Sequence, residues 1–149
     1  MPAYVLDFYL DELGNAPARD WLRSLEPRKK FAAGHAMEAQ LQQDGLGVSR
    51  TRWGKNLGGG VAEFRVSEPS TEGEVLLRVF FHAFGDRRIL VLHGYDKGRD
   101  PRSNRQQREI DEARRRLKDF DARMKAGSYP LRELPPTVAA AGRATRKNP

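Results

Sequence analysis

Three consecutive runs between Val61 and Tyr95 are strand-like, the first two alternating between two faces, and a basic run with helical spacing follows them directly. Period-two patterning rich in β-branched and aromatic residues selects strands, so this order demands an antiparallel sheet followed by a helix. Over 61–66, Ala62, Phe64 and Val66 share one face, and Val61, Glu63 and Arg65 share the other. Over 74–84, Val75, Leu77, Val79, Phe81 and Ala83 form the core face, opposite Leu76, Arg78, Phe80, His82 and Phe84. Gly85-Asp86-Arg87-Arg88 is a hairpin signal, and the run over 88–95 is apolar on both faces, which places it centrally or under cover.

Hairpin parity then sets a constellation. A short turn centred on Asp86-Arg87 puts His93 opposite Phe80 and Tyr95 opposite Arg78. The preceding turn, irregular and polar with Pro69, Ser70, Thr71 and Gly73, is expected to put Arg65 near Leu76 and Glu63 near Arg78. Arg65, Arg78, His93 and Tyr95 then share one open sheet face. A slip of one residue would move any of these strands' side chains to the other face. Glu63–Arg78 also reads as a cross-strand ion pair that sets register. His93 reads either as a hydrogen-bonded core histidine or as a base, and Tyr95 either as a functional hydroxyl or as closure of the core.

Upstream, Tyr4 to Leu10 alternates as a strand, with Tyr4, Leu6, Phe8 and Leu10 on one face. Gly14-Asn15 ends it. Asn15 is a candidate N-cap, Pro17 suits a first helical turn, and Trp21, Leu22 and Leu25 stripe a short helix over 16–25. The residue before a proline disfavours the α region, so Glu26-Pro27 breaks that helix. A second helix is expected over 27–43, with Phe31, Gly34, Met37 and Leu41 on one side, ended by Gly45 and Gly47. The two form a hairpin packed on the sheet, on the side away from the Arg65–Arg78 face. Residues 48–60 read as loop, in which Arg50, Arg52 and Lys55 surround Trp53. Cations interleaved with an aromatic can hold a phosphate and stack a base; the alternative is a tryptophan covering a sheet edge. The last helix spans about 103–124. Ile110, Ala113, Leu117, Phe120 and Met124 make its apolar stripe, and Arg105, Arg108, Arg114, Arg115, Arg116 and Lys118 lie on its other faces, partly offset by Glu109, Asp111 and Glu112.

Charge narrows the partner. A formal net charge of +7 over 149 residues, with the cations clustered, points to a polyanion: nucleic acid, anionic lipid or an acidic protein. The length is that of one domain. The absence of cysteine excludes disulfides and thiolate metal sites. No apolar run approaches the ~18 residues of a membrane span, and the first residues carry acids where a signal peptide carries cations, so a cytoplasmic protein with no membrane partner is expected. Gly58–Gly60 lack the Gly-Lys-Ser/Thr of a nucleotide loop, and no Gly-x-Ser-x-Gly elbow exists. His35, His82 and His93 have no metal-ligand spacing. Any enzyme here is expected to work without metal, thiol or cofactor.

The ordered segments AEFR (62–65), LRVFF (77–81), LHGYDK (92–97) and REIDEARRRLKDF (108–120) together resemble the RelE/ParE toxin superfamily of type II toxin–antitoxin modules, in its phage-derived, HigB-like branch. The resemblance runs from Tyr4 to Phe120. It implies an α+β, RelE-like fold: an N-terminal strand and helical hairpin packed on a small, mainly antiparallel sheet, plus a C-terminal basic helix. The toxin domain would occupy 1–125, and a flexible basic Pro/Ala-rich tail 126–149. It further implies a ribosome-dependent mRNA endoribonuclease, in which a 2′-hydroxyl attacks the adjacent phosphate without metal and leaves a 2′,3′-cyclic end. On that resemblance Arg78 and Lys97 stabilise the phosphate, and His93 or Tyr95 handles a proton or stacks a base. Arg65, Lys55, Arg52, Trp53 and Arg99 contact the RNA. The implied partners are mRNA, the ribosome and a cognate antitoxin of helix-turn-helix type. The alternatives are a ParE-like inhibitor of gyrase and a non-catalytic RNA- or ribosome-binding module.

Overall fold

A computed structural model describes residues 3–69 and 73–132. The expected turn after Pro69 therefore lies partly outside the described residues, as does the tail beyond Arg132. The elements run β1 (Val5–Phe8), α1 (Pro17–Ser24), α2 (Pro27–Ala36), a π-helical segment (Met37–Leu41), a short α3 (Gln42–Asp44), a 3-10 helix (Gly45–Arg50), β2 (Gly54–Gly58), β3 (Val61–Glu68), β4 (Val75–Phe84), β5 (Arg88–Asp96) and α4 (Ser103–Lys125). The fold is α+β, as the sequence implies. Five strands form one sheet in the order β1-β5-β4-β3-β2, with β1 parallel to β5 and every other pair antiparallel.

Helices cover both faces. On one side α1, α2 and the π-helical segment close a core of Phe64, Leu77, Val79, Phe81, Ile89 and Val91, with Met37, Leu41 and four alanines contributed by the helices. On the other side α4 lays Ala113, Leu117 and Phe120 over Val61, Phe80, Leu90, Leu92 and Tyr95. The face expected to be open is therefore largely roofed by α4, and β5, buried on both sides, is apolar on both. Each fully buried large side chain here contributes on the order of 1.5–3 kcal/mol.

Several local expectations change. Residues 54–58, read as loop, form β2, joined to β3 through Gly58, Gly59 and Gly60 at φ of 84°, 65° and 85°. Three successive left-handed residues are affordable only for glycine. Asn15 caps nothing: Ala16 occupies the N-cap position without a side-chain bond, while Asp11 accepts the N–H groups of Leu13 and Asn15 and so turns the chain. Pro17 does open α1. In α2 the inward face is Ala32, Ala33 and Ala36, continuing into Met37 and Leu41, whereas Phe31 and Gly34 point outward. Small residues let α2 lie close to the sheet, and close packing outweighs the pull to bury one phenylalanine. Trp21 packs against Gly94, where an added Cβ would stand 2.3 Å from the indole. Residues 126–132, which the sequence assigns to the tail, fold back onto β1. Arg132 binds the Asp7 carboxylate and the Leu6 carbonyl, and the Tyr129 hydroxyl accepts the Leu10 N–H.

A candidate anion-binding cleft on the sheet

The β4–β5 hairpin fulfils its expected pairing through an irregularity. Phe84 pairs with Arg88 and Phe81 with Val91, after which an extra residue, Leu92, shifts the ladder so that His93 faces Phe80 and Tyr95 faces Arg78. The β3–β4 pairing differs from expectation by two residues: Arg65 lies opposite Arg78, and Glu63 opposite Phe80. A slip of two preserves parity, so the same side chains still share the α4 face.

Glu63 organises them. It is fully buried, and its Oε1 receives Arg65 Nε at 2.8 Å and lies 3.3 Å from Arg78 Nε, diagonally across the strands. Gln106 on α4 donates to its Oε2 at 3.3 Å. A buried carboxylate is tolerable only when paired, and here two guanidiniums flank it. Arg78 is itself only 9% exposed. Burial lowers the pKa of its guanidinium, Glu63 partly restores it, and Arg65 lowers it again; an arginine nevertheless stays charged.

Above this pair opens a cleft of about 330 Å³ lined by Arg52, Trp53, Arg65, Ser67, Pro69 and Arg78. Alternation from Glu63 and Arg65 brings Ser67 to the same side, a signal that was available in the sequence. Trp53 packs on Phe64 with ring centroids 6.1 Å apart, and the Arg52 guanidinium sits 5.0 Å over its ring. Trp53 thus covers the sheet edge and also walls the cleft. Two guanidiniums flank the one buried carboxylate and Arg52 adds a third positive charge to the lining, which leaves the cleft cationic. Its chemistry is that of an anion site: fixed donors in a partly desolvated recess, where charge–charge attraction exceeds its value in water.

The other candidates are placed elsewhere. His93 and Tyr95 are on the same sheet face but beneath α4, outside the cleft lining. The His93 ring stacks on Phe80, and its Nε2 meets Glu109 Oε2 at 2.5 Å. Tyr95 is 2% exposed, its hydroxyl is buried without a hydrogen-bond partner, and the Arg105 guanidinium lies 5.5 Å from its ring. Burial pushes the Tyr95 hydroxyl above its ordinary pKa, against the pull of Arg78. Lys55 is exposed and opposite Glu63 in the β2–β3 ladder. Lys97 follows the last residue of β5. Neither lines the cleft. Arg99 is on a different recess, with Trp21, Lys29 and Asp96 beside the α1–α2 elbow, because β5 has ended and the chain has turned by that point. Glu109, Gln106 and Arg105 are contacts that sequence reasoning missed. Only the Arg105–Glu109 spacing of four hinted at them, and it reads equally as a local helix pair. Among the described residues no group of three or more His, Asp or Glu side chains is arranged to hold a metal, and no helix is long and apolar enough to cross a membrane.

His93 gives a pH signature. Burial depresses its pKa, only partly countered by the bond to Glu109. The folded protein then binds a proton less readily than the unfolded chain, whose histidine titrates near 6.5. Stability is full above that value and falls as pH drops below it towards the folded pKa. The melting temperature should therefore decline between pH 7.5 and 5.5, and His93→Gln should flatten that decline. An unchanged slope in the variant would assign the acid sensitivity to other groups. Glu112, held down to about 2 mainly by its bond to Arg115, does not titrate in this window.

Residues 20–118 match the family model of the phage-derived Gp49-like proteins (DUF891), 99 of the 149 residues. No curated protein matches the chain.

Proposed function

The chain belongs to the Gp49-like family of phage-derived proteins, within the RelE-like group of type II toxin–antitoxin toxins, and we propose that it is a HigB-like toxin that cleaves mRNA on the translating ribosome. The observation that carries this reading is the convergence of Arg52, Arg65 and Arg78 with Trp53 in one cleft. Attack of a 2′-hydroxyl on the adjacent phosphate builds extra negative charge on the phosphorane oxygens and on the departing 5′-oxygen. Fixed guanidiniums stabilise that charge without reorganising as it forms. Arg78, locked by Glu63, and Arg65 beside it hold the reacting phosphate. Arg52 takes a neighbouring phosphate and frees the Trp53 ring to stack a base. Lys55 and Lys97, which do not line the cleft, are left out of this assignment. His93 and Tyr95 are covered by α4 and support this surface from below, so solvent supplies the proton that the leaving oxygen takes up. A metal-independent cut of this kind leaves a 2′,3′-cyclic phosphate and a 5′-hydroxyl, with the 2′-proton passing to solvent and the leaving oxygen gaining one.

One observation favours a second reading. Among the described residues no imidazole or carboxylate lines the cleft, which suits a module that binds ribosomal RNA without cutting it. Induced expression followed by primer extension on cellular mRNA separates the two. Discrete, translation-dependent ends support the nuclease, while loss of translation without ends supports the binding module. Loss of DNA supercoiling without ends would instead support a gyrase inhibitor. Salt tests the electrostatic basis: three guanidiniums on single-stranded RNA should give a slope of log affinity against log salt of roughly −2. A slope near zero would remove the cleft from the account.

A further inference from the structure

The carboxylate that organises the arginine cleft uses its two oxygens differently. Glu63 Oε1 receives Arg65 Nε at 2.8 Å and lies 3.3 Å from Arg78 Nε, and both arginines line the cleft. Among the described residues the donor to Oε2 is the Gln106 side-chain amide, 3.3 Å away in the first turn of α4. Glu63 is fully buried, so bulk water reaches neither oxygen. A carboxylate only accepts, so the amide presents its nitrogen. Only a neutral donor satisfies Oε2 without disturbing the arginines. A lysine or arginine at 106 would compete with them for Glu63, and a carboxylate there would attract their guanidiniums out of the cleft. The charged neighbour on α4, Arg105, is engaged by Glu109 at 3.1 Å and by Asp100 at 3.5 Å.

We propose that Gln106 is a positioning residue: by holding Oε2 it fixes the Glu63 carboxylate in the orientation that leaves Arg65 and Arg78 free to grip an RNA phosphate in the cleft. A buried oxygen without its donor is costly. Deprived of Gln106, the carboxylate turns Oε2 towards the guanidiniums, each of which carries N–H groups beyond Nε. Two-point pairing with Glu63 then draws their charge down into the sheet and away from the ligand. The position of α4 thereby sets how much positive charge the cleft presents, although none of the described residues lining it comes from α4. This role presupposes that the cleft binds RNA and is indifferent to whether the RNA is cut.

The variant that tests this is Gln106→Met, which keeps the length and apolar stem of the side chain, removes the donor and leaves the net charge unchanged. The probe is a fluorescent single-stranded RNA carrying 2′-O-methyl groups, which cannot be cut, titrated by anisotropy with the full chain over a range of salt. The parent should show a slope of log affinity against log salt of roughly −2, from three phosphate contacts. In Gln106→Met the affinity should fall by about tenfold at low salt, and the slope should shrink towards about −0.7, the value for Arg52 alone. Thermal melting checks that the variant is folded. Gln106→Asn, whose shorter amide stops short of Glu63, takes its place if it is not, with the same change expected. Gln107→Met, at the neighbouring exposed position that bonds Asp111, should behave as the parent. Parental affinity and slope in the folded variant overturn the role of Gln106 alone. Weaker binding at the parental slope overturns it too, because Gln106 would then be only a strut for α4. A slope near zero in the parent overturns the RNA reading of the cleft, and this role with it.

Discussion

Arg65→Ala should abolish growth arrest while leaving the protein folded. Arg65 is the more exposed of the two arginines on Glu63, its side chain about a third accessible against a tenth for Arg78. Removing it leaves the buried carboxylate with Arg78 and Gln106. The loss of stability should stay near 1 kcal/mol, a few degrees in melting temperature. Loss of one donor aimed at developing charge costs roughly 10²–10³ in rate, or about 2.7–4 kcal/mol of transition-state stabilisation. Cleavage measured in a purified translation system, alongside thermal melts, tests this. A folded Arg65→Ala protein that cuts as fast as the parent would dismiss the cleft as the reacting centre. Arg78→Ala is a poorer probe, because it strips a fully buried carboxylate of a flanking cation and confounds folding with chemistry.

Glu63→Ala should be the most destabilising change on this face, by about 3–5 kcal/mol, the typical effect of breaking a buried pair. Arg78 would then be left buried with no carboxylate beside it, next to Arg65. Urea unfolding with an unchanged m-value measures the loss. Adding Arg78→Leu to Glu63→Ala should recover part of it, since no unpaired buried charge then remains. A cost below about 1 kcal/mol for Glu63→Ala would mean that water reaches the pair, and the argument for a preorganised cleft would fail with it.

Much of this was legible before the structure. The alternation of β3 and β4 assigned Arg65 and Arg78 to one face, and the turn at Asp86-Arg87 placed His93 and Tyr95 opposite their partners. The register of β3 on β4 was displaced by two, because a long irregular turn leaves the pairing offset free while side-chain parity is not. β2 was missed because Gly54, Lys55, Asn56 and Gly58 have weak strand preference, and only the exposed edge position beside β3 holds them extended. Helical spacing groups Phe31 with Gly34, Met37 and Leu41 on one side, although the helix turns its alanines inward. Arg99 joins the expected contacts on the family resemblance, yet it lines another recess.

The sequence by itself determined the strand order's antiparallel core, the side on which each alternating residue stands, and the surplus of cations. Those properties are local: they follow from a two-residue repeat and from counting charges. Only the tertiary structure decided that α4 returns across the sheet, sealing His93 and Tyr95 under Glu109 and Arg105 and leaving Arg52, Arg65 and Arg78 at the open end. That division depends on where α4, which begins only at Ser103, comes to rest. Its resting place follows from the fit of Ala113, Leu117 and Phe120 to the sheet, a matter of shape between distant segments that no spacing within either one encodes.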